Sequence, residues 1–474
     1  MNRREFLARV SAAVAVAALP RSASGGTTTA TLKVALDRTL STMPLDFAGF
    51  SYESAQLADS TYFSGANTAL VQQFRKLSNR GVLRLGGNLS DLTLWSGGSK
   101  PAPFPSSAQR NLQTRFEWML VGRRARENRP ATITPESIRA LGSFLKATGW
   151  KLIYGFNLGT GTPERAAEEA ACVVENVGDS LLAFQVGNEA DFFGRSFRRH
   201  GWDFDHCWDE YKNYVKAVRV RVPRAPFAGP DVAANTDWAR QFAERAKGDA
   251  ILLASHYYAM GPPEDTKMNA NRLLRRDPRL VRDVPLLVAA AKAAGMRYRM
   301  AEGNSCFHGG KSGVSDAFAS ALWGADYMLF LAQAGCAGVN LHTGGEGFYS
   351  AFVGERQQIE ERPLFFGMEF AQRFAGATFL DARLDANSNV AAYAALRGHE
   401  ILLAVINKDS APASIDVRGF PWDVGRAKEN WSLTAPSLGA TSDVKFQPSD
   451  AQDVLTRLEV PQYSGKLVAL KGFS

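Results

Sequence analysis

The chain has 474 residues, of which 45% are hydrophobic and 22% are charged, and this composition excludes a largely disordered protein. Its length suits one large domain with a smaller second domain. The net charge of +8 indicates a mildly basic surface that suits an anionic ligand. No tract rich in Lys and Arg contains interleaved aromatic residues, so nucleic acid is not expected as a partner.

Residues 1–24 have the pattern of an export signal. The opening "MNRREFLARV" is basic, and the Ala/Val-rich stretch after it is too short to span a bilayer. The pair Arg3-Arg4, followed by Phe-Leu, resembles a twin-arginine signal, with an ordinary secretory signal as the alternative. The sequence therefore predicts a periplasmic or secreted protein without a membrane span, cleaved near Ser24.

The four cysteines are widely separated and show no Cys-x-x-Cys spacing: Cys172, Cys207, Cys306 and Cys336. Structural zinc is therefore not expected. Buried free thiols are favoured, and a single disulfide remains open for an exported protein. His200 and His206 lack the spacing of metal ligands on a helix, so no metal site is predicted.

Short apolar runs alternate with helical patterns between residues 46 and 375, and the sequence predicts a strand in each run. The predicted strands are 47–53, 81–87, 151–157, 181–187, 226–230, 251–258, 297–302 and 338–343. Two of the helices between them begin with a Thr N-cap and a Pro, at Thr134-Pro135 and Thr162-Pro163. The alternation predicts a (β/α)8 TIM barrel of the α/β class. A doubly wound sheet would need a Gly-rich phosphate turn, and "RLGGNLSD" does not match one.

The pattern changes at about residue 376. From there to residue 474 the chain has short alternating runs, broken by turns such as Asn-Ser and Ser-Gly, and this predicts an antiparallel β-sandwich. Residues 25–45 contain "ATLKVALDR", which has the same character. We expect this N-terminal strand to join the C-terminal sandwich.

Two glutamates follow predicted barrel strands at the end where this fold places its active site. Glu189 follows strand 4 in "FQVGNEADFF", and Glu302 follows strand 7 in "RYRMAEGNS". Each lies beside an amide side chain, Asn188 or Asn304. A single carboxylate after a strand is usually a loop residue or a helix cap, but the joint occurrence in one barrel mouth points to glycosidic bond cleavage.

Glycosidic bond cleavage needs one carboxyl group to protonate the leaving oxygen and a second to stabilise or trap the sugar cation. At about 5 Å separation the second carboxylate attacks directly and configuration is retained, whereas roughly 6.5–9.5 Å leaves room for a water and inverts it. We predict Glu189 as the acid/base and Glu302 as the nucleophile. The acid must be partly protonated at the working pH, so we expect an acidic optimum.

The motifs "VGNEADFF" and "MAEGNSCFHGG" resemble the clan of retaining glycoside hydrolases with catalytic glutamates on strands 4 and 7. More narrowly, the chain is similar to glycoside hydrolase family 79, the β-glucuronidase and heparanase family. The similarity extends over "DFAGFSYES", "LRLGGNLSDLTLW", "SHYY" and "LHTGGEGFYSAF", and includes a sandwich after the barrel. It implies a β-glucuronidase that uses neither a metal nor another cofactor.

The resemblance also implies roles for residues around the sugar. Asn188 would bind the 2-hydroxyl group, and Glu53 and Asn88 would bind the other hydroxyls of the same ring. Tyr258, or its neighbour Tyr257, would orient the nucleophile.

The "GGEGFY" stretch would hold the glucuronate carboxylate. The resemblance assigns this role to the backbone N–H groups of Gly344 and Gly345 and to the Tyr349 hydroxyl, and glycine lets such donors approach an anion closely. Two features differ from the family: Ala190 stands where many members of the clan have proline, and Glu346 adds a negative charge near the proposed pocket. We expect Glu346 to face solvent.

The substrate predicted from these features is an anionic glycan or glucuronide, and a heparan-sulfate-like chain is favoured. Arg195, Arg198 and Arg199 are the candidates for binding its neighbouring sulfates or carboxylates. His256 is a barrel histidine for which a hydrogen-bonding role remains open. The alternatives are an exo-acting enzyme on small or plant-derived glucuronides, a related enzyme on neutral sugars, and a non-catalytic carbohydrate-binding protein. The oligomeric state stays open, with a monomer favoured.

Overall fold

The computed structural model describes residues 27–98, 106–128, 130–355, 358–420, 427–450 and 457–471. The predicted signal peptide lies outside these residues. Within the described ranges, no helix combines the length and the apolar character that a bilayer crossing requires. The four cysteines are free thiols, and all but Cys172 are buried.

The larger part of the molecule is a closed barrel of parallel strands surrounded by helices, which confirms the predicted fold. The described chain begins with β1 (Thr28–Thr42), which belongs to a separate sheet. In chain order the barrel strands are β2 (Ala48–Glu53), β3 (Val82–Gly86), β6 (Lys151–Phe156), β7 (Leu181–Val186), β8 (Phe227–Val232), β9 (Ala250–Met260), β10 (Arg297–Cys306) and β11 (Gly338–His342). The short strands β4 (Leu94–Trp95) and β5 (Thr132–Ile133) pair with each other outside the barrel.

Helices connect the barrel strands, and their starts follow the predicted capping pattern. Thr134 accepts a hydrogen bond from the Ser137 N–H at one start, and Thr162 accepts one from the Arg165 N–H at the other. The helices are α1 (Thr68–Leu77), α2 (Ser107–Phe116), α3 (Arg123–Glu127), α4 (Pro135–Thr148), α5 (Pro163–Val177), α6 (Phe204–Arg221), α7 (Thr236–Arg245), α8 (Ala270–Leu274), α9 (Pro278–Ala293), α10 (Phe318–Gln333) and α11 (Pro363–Gln372).

A second sheet follows the barrel and forms the β-sandwich domain. After the hairpin of β12 (Phe352–Glu355) and β13 (Gln358–Glu361), its strands are β14 (Thr378–Asp385), β15 (Val390–Arg397), β16 (Glu400–Asn407), β17 (Ala413–Arg418), β18 (Ala427–Thr434), β19 (Lys445–Pro448), β20 (Arg457–Val460) and β21 (Ser464–Lys471). Together with β1 they run in the order β19-β18-β21-β16-β15-β14-β1-β17-β20. β1 pairs antiparallel with β14 and parallel with β17, so the N-terminal strand lies in the C-terminal domain.

The two domains share a packed boundary. Helix α10 is apolar on nearly all sides and almost wholly buried, because it packs against the barrel and against the sandwich strands β1 and β16. The sandwich has its own core on its other face, formed by side chains such as Leu32, Leu403 and Ile415.

Two barrel strands are longer than the sequence indicates. β9 and β10 continue to pair as far as Met260 and Cys306, with a register irregularity between Met300 and Glu302. Glu302 therefore lies inside β10, opposite His256, rather than at its end. The extended pair of strands forms one wall of the barrel mouth.

Candidate active site

A cleft of about 700 Å³ lies at the carboxyl ends of the barrel strands. Among the described residues that line it, Glu189 and Glu302 are the two carboxylates. Much of the remaining wall is aromatic and includes Phe116, Trp118, Phe192, Phe197, Phe307 and the tyrosines that follow His256. This is the end of a TIM barrel where catalytic residues are found, so the two predicted glutamates share the expected place.

Glu302 is buried and has a partner on each oxygen. Arg84 Nη1 donates to Oε2 at 2.5 Å, and the Tyr258 hydroxyl donates to Oε1 at 2.8 Å. Burial raises the pKa of this carboxyl, but three basic neighbours outweigh burial and hold the pKa of Glu302 well below its usual range. The three neighbours are His342, His256 and Arg84. Glu302 is therefore ionised, as a nucleophile must be.

Glu189 lies just past β7 in a left-handed backbone conformation, with φ of 50°. A glutamate seldom adopts this conformation, and such strain is most often found at functional sites. The Glu189 N–H donates to the Asp231 carbonyl at 2.9 Å, which helps to hold the turn. The side-chain Oε1 lies 2.9 Å from His256 Nδ1, and 17% of the side chain is exposed to the cleft side.

Beneath the two glutamates lies a set of buried charges, centred on Arg84 of β3. Besides Glu302, its guanidinium donates to Asn188 Oδ1 at 2.8 Å, to Gln185 Oε1 at 3.1 Å and to Asp231. Burial raises the pKa of Asp231, but Arg84 and His256 outweigh burial and lower that pKa. Sequence reasoning missed both Arg84 and Asp231. The available signal was a charged residue within each of two otherwise apolar strands.

His256 bridges the two halves of the site. Its Nε2 lies 3.0 Å from Asp231 Oδ1, while Nδ1 faces Glu189. Burial lowers the pKa of this imidazole, but the charges of Asp231 and Glu302 outweigh burial and raise the pKa to about 10. His256 is therefore a cation that contacts the predicted acid/base directly, a role that the sequence left open.

Arg84, Asp231, His256 and Glu302 form the floor of the cleft. Three of the predicted sugar-binding residues lie beside this floor. Asn88 lines the cleft, whereas Asn188 and Glu53 are buried below it. The Glu53 carboxylate accepts the backbone N–H groups of Asn88 at 3.2 Å and of Leu89 at 2.7 Å. A Cβ at Gly87 would lie 2.4 Å from that carboxylate, which explains the glycine. Glu53 thus holds the turn that carries Asn88, and contact of these three residues with a sugar remains a prediction.

The structure separates the two adjacent tyrosines. The Tyr258 hydroxyl contacts Glu302, whereas the Tyr257 hydroxyl donates to Asp277 Oδ2 at 3.1 Å. Both side chains line the cleft. Of the two, Tyr258 has the geometry to orient the predicted nucleophile.

The predicted carboxylate pocket is partly occupied by its own loop. The Gly344 N–H donates to Ser350 Oγ at 3.2 Å, and a Cβ at Gly345 would lie 2.0 Å from the Trp118 carbonyl. Close packing therefore accounts for the glycine at 345. Tyr349 lines the cleft, and contact of its hydroxyl with a glucuronate carboxylate stays a prediction. Glu346 is 68% exposed and pairs with Arg126 at 2.8 Å, so its charge faces solvent.

Arginines from separate segments stand around the cleft: Arg115, Arg195, Arg272 and Arg279. Arg279 pairs with Asp277, but the other three have no acidic partner among the described residues. Arg195 therefore lies where the sequence places a ligand contact. Arg198 does not, because it is bound to Glu210 and to backbone carbonyls. Arg199 is exposed but does not line the cleft.

Within the described ranges, Glu189, His256 and Glu302 are also the side chains that could share a metal ion, since one ligand atom of each lies within 4.8 Å of the others. The imidazole is poorly suited to this role. Both of its ring nitrogens face carboxylates, and its pKa of about 10 keeps both protonated. The arrangement therefore fits proton transfer and nucleophilic attack better than metal binding.

The fold of this chain, a TIM barrel followed by a β-sandwich, is similar to that of solved structures. The Fusarium oxysporum 4-O-α-L-rhamnosyl-β-D-glucuronidase superposes with a TM-score of 0.69 at 17% identity, over 93% of this chain and 99% of that one. The GH51 arabinofuranosidase of Xanthomonas axonopodis pv. citri has a TM-score of 0.69 at 15% identity, over 94% and 100%.

Curated relatives are similar at low identity. A β-glucuronidase of Neurospora crassa is 25% identical in an alignment of 367 residues that covers 68% of this chain and 61% of the relative. A β-glucuronidase of Aspergillus niger is 26% identical in an alignment of 232 residues that covers 43% of this chain and 42% of the relative. The chain thus spans less than two thirds of the length of either relative. No protein-family model matches it.

Proposed function

We propose that this protein is a retaining β-glucuronidase with Glu189 as acid/base and Glu302 as nucleophile. The observation that carries the proposal is the spacing, since one oxygen of each carboxylate lies within 4.8 Å of the other. Retaining glycosidases hold the two carboxyl groups about 5–5.5 Å apart, whereas inverting enzymes need roughly 6.5–9.5 Å to admit a water. The short spacing supports direct attack on the sugar.

The reaction would proceed in two displacements. First, a Glu302 oxygen bonds to the anomeric carbon as the glycosidic C–O bond breaks, and Glu189 gives its proton to the departing oxygen. Then Glu189 takes a proton from water, the water oxygen attacks the anomeric carbon, and Glu302 is released. Arg84 and Tyr258 would stabilise the negative charge on Glu302, and the His256 cation would stabilise the Glu189 carboxylate whenever Glu189 is ionised.

Glucuronate is proposed as the sugar because the curated relatives are β-glucuronidases and one solved neighbour acts on a rhamnosyl-glucuronide. For the rest of the substrate we propose an acidic glycan, such as a heparan-sulfate-like chain. The arginines at 115, 195 and 272 support this choice, because they have no acidic partner in the part of the chain that the structure describes and stand around the cleft where neighbouring sulfates or carboxylates would lie.

The test compares the purified protein with its Glu302→Ala variant on an aryl β-glucuronide and on size-defined heparan sulfate. We expect aryl release by the wild type and a loss of more than about 10⁴-fold in the variant, the scale of removing a catalytic nucleophile. Glu346→Ala is the matched control, because that glutamate is exposed and paired away from the cleft. NMR of the first product should show the β anomer.

Other outcomes would redirect the proposal. Aryl release without shortening of the polymer would indicate an exo-acting enzyme on small glucuronides. Turnover of an aryl arabinofuranoside or glucoside alone would reject glucuronate as the sugar. If no glycoside is turned over, or if Glu302→Ala retains full activity, catalysis by this site is wrong and simple carbohydrate binding becomes the leading function.

Export by the twin-arginine route belongs to the same proposal, because the enzyme must leave the cytoplasm to reach an extracellular glycan. It rests on residues 1–24 of the sequence. Replacing Arg3 and Arg4 by lysine in the full chain should leave the protein in the cytoplasm of its host. Unchanged export after this replacement would indicate the general secretory route.

A further inference from the structure

One wall of the cleft is built on residues 270–279, which we call the 270–279 segment. It consists of α8, a short connection and the start of α9. Arg272 and Arg279 line the cleft, while Leu273 and Leu274 are buried underneath. The segment therefore has one side on the substrate cavity and another in the core.

The sandwich domain holds this segment from the far side. Arg276 donates to the hydroxyl of Tyr393 on β15 at 2.6 Å, and also to Asp326 of α10. The Tyr393 hydroxyl in turn donates to Asp326 Oδ1 at 2.6 Å, and Lys408 donates to Oδ2 at 2.6 Å. In addition, Asn389 Nδ2 donates to the Leu274 carbonyl at 3.2 Å.

These contacts are buried polar contacts between domains. Asp326, Tyr393 and Lys408 are between 1% and 6% exposed. Burial raises the pKa of Asp326, but Arg276 and Lys408 outweigh burial and hold that pKa well below its usual range. A buried carboxylate with two cations has little freedom to rearrange, because each group would lose partners that water cannot replace.

Asp277, the residue after Arg276, links the 270–279 segment to the floor of the cleft. Asp277 Oδ2 accepts from the Tyr257 hydroxyl at 3.1 Å and from Arg279 Nη2 at 2.7 Å. Arg279 Nη2 also lies 3.5 Å from the carbonyls of Tyr258 and Ala259. The end of β9, whose Tyr258 contacts Glu302, is therefore bound to the segment that the sandwich holds.

We propose that the sandwich domain contributes positioning residues to the active site. Tyr393, Lys408 and Asn389 are positioning residues that fix the 270–279 segment and, through Asp277 and Arg279, the end of β9 that orients Glu302. The effect on turnover rests on the proposed glucuronidase function. The effect on the segment does not, because it follows from the contacts between the domains.

Tyr393→Phe and Asn389→Ala test the proposal in the full-length protein. Both leave every charge of the cluster in place, whereas Arg276→Ala would leave a cavity and remove a cation beside Asp326. Arg457→Ala is the matched control, because it breaks an ion pair with Asp416 at 3.0 Å within the sandwich. Amide hydrogen exchange is measured for peptides across the barrel, together with kcat and KM on an aryl β-glucuronide.

We expect exchange in the 270–279 segment to become about 3–10-fold faster in either variant, the scale of one lost hydrogen bond. Exchange in β2, β3 and β16 should not change. Turnover should fall about 3–10-fold in kcat with little change in KM, because the orientation of Glu302 is affected more than ground-state binding. The Arg457→Ala control should match the wild type in both measurements.

Unchanged exchange in the 270–279 segment would overturn the positioning role of the sandwich. Faster exchange with unaltered kcat would overturn the connection to Glu302. If the wild type turns over no glucuronide, the proposed function has failed on its own, and hydrogen exchange alone decides whether the sandwich fixes the segment.

Discussion

The charged side chains on the floor of the cleft are paired with opposite charges, whereas most of the arginines on its rim have no acidic partner among the described residues. On the floor, Glu302, Arg84, Asp231 and His256 are at most 4% exposed, and each has a partner of opposite charge. On the rim, Arg115, Arg195 and Arg272 are exposed and have no acidic partner among the described residues. The floor has its charges balanced within the protein, whereas the rim leaves positive charge available to a ligand.

This contrast predicts different sensitivities. Charges in a buried, low-dielectric floor interact strongly, and removing one leaves another without a partner. Exposed rim charges interact weakly and are screened by salt. Floor substitutions should therefore change the rate of the chemical step, and rim substitutions should change the binding of charged substrates.

After Glu302→Ala, the largest effect is expected from Glu189→Ala. Loss of the general acid should lower kcat/KM by about 10²–10⁴-fold for a glucuronide with a poor leaving group. A nitrophenyl glucuronide should lose less, because its leaving group needs no protonation. Added azide should then attack the glycosyl-enzyme and release a β-glucuronyl azide, detectable by mass spectrometry and NMR. An equal loss for both leaving groups, without an azide product, would contradict the acid/base role.

A smaller but still large loss is expected from Arg84→Lys. Lysine keeps the charge but cannot make the set of contacts that the guanidinium makes with Glu302, Asn188 and Gln185. We expect kcat to fall about 10²–10³-fold, the scale of losing a preorganised electrostatic contact.

A matched control for Arg84 exists in the same barrel. Arg299 is 2% exposed and bonds Asn340 Oδ1 at 2.6 Å together with backbone carbonyls, including that of Ala337. Arg299→Lys should lower thermal stability without a comparable loss of kcat. If both variants lost kcat equally, the loss in Arg84→Lys would come from impaired folding and not from the lost contacts in the floor of the cleft.

The contrast between floor and rim also explains what the sequence could predict. Glu189 and Glu302 could be predicted from the sequence because each follows an apolar run, and the C-terminal ends of barrel strands meet at one mouth. The pairing of Arg84 with Asp231 could not be predicted, since it joins β3 to β8 only when the barrel closes. For the same reason, neither Arg115 nor Arg272 stood out from the other exposed arginines.

The extent of β9 and β10 could not be predicted either. The pattern 251–258 marks the apolar part of β9, but pairing with β10 continues to Met260 because each extended strand supplies the backbone partners of the other. Local propensity carries no information on such mutual extension. The choice between Tyr257 and Tyr258 depended on the same pairing, because it sets which hydroxyl points at Glu302.

A pH effect on stability is expected from a carboxylate next to the floor. Asp91 is 1% exposed and accepts N–H groups from Leu158 at 2.9 Å and Asn188 at 3.1 Å. Burial raises its pKa to about 7, although those hydrogen bonds and Arg198 lower it. Between about pH 4 and 7 the unfolded chain releases a proton that the folded protein keeps, so stability falls by about 1.4 kcal/mol per pH unit from this group.

The expected outcome is a flatter pH profile in Asp91→Asn. Unfolding free energies are measured by urea at several pH values, and the difference between wild type and variant is plotted against pH. The stabilising contribution of the wild-type carboxyl is complete below its unfolded pKa and is lost as the pH rises through about 7. Asp237→Asn, at a side chain 79% exposed, is the control and should leave the slope unchanged. A constant difference across the range would contradict the raised pKa.

The smallest effect is expected at the rim. Arg195→Ala or Arg272→Ala should raise KM for an acidic glycan about 2–5-fold, because each removes one exposed charge. KM for an aryl β-glucuronide, whose aglycone adds no charge to the glucuronate, should be nearly unaltered. The effect should vanish at high salt. Arg199→Ala is the control, since that arginine is exposed nearby without lining the cleft. If Arg199→Ala had the same effect as Arg195→Ala, the basic surface as a whole, and not the rim, would attract the substrate. An increase in KM that is equal for the acidic glycan and for the aryl β-glucuronide would mean that the rim shapes the cavity and does not select an acidic chain.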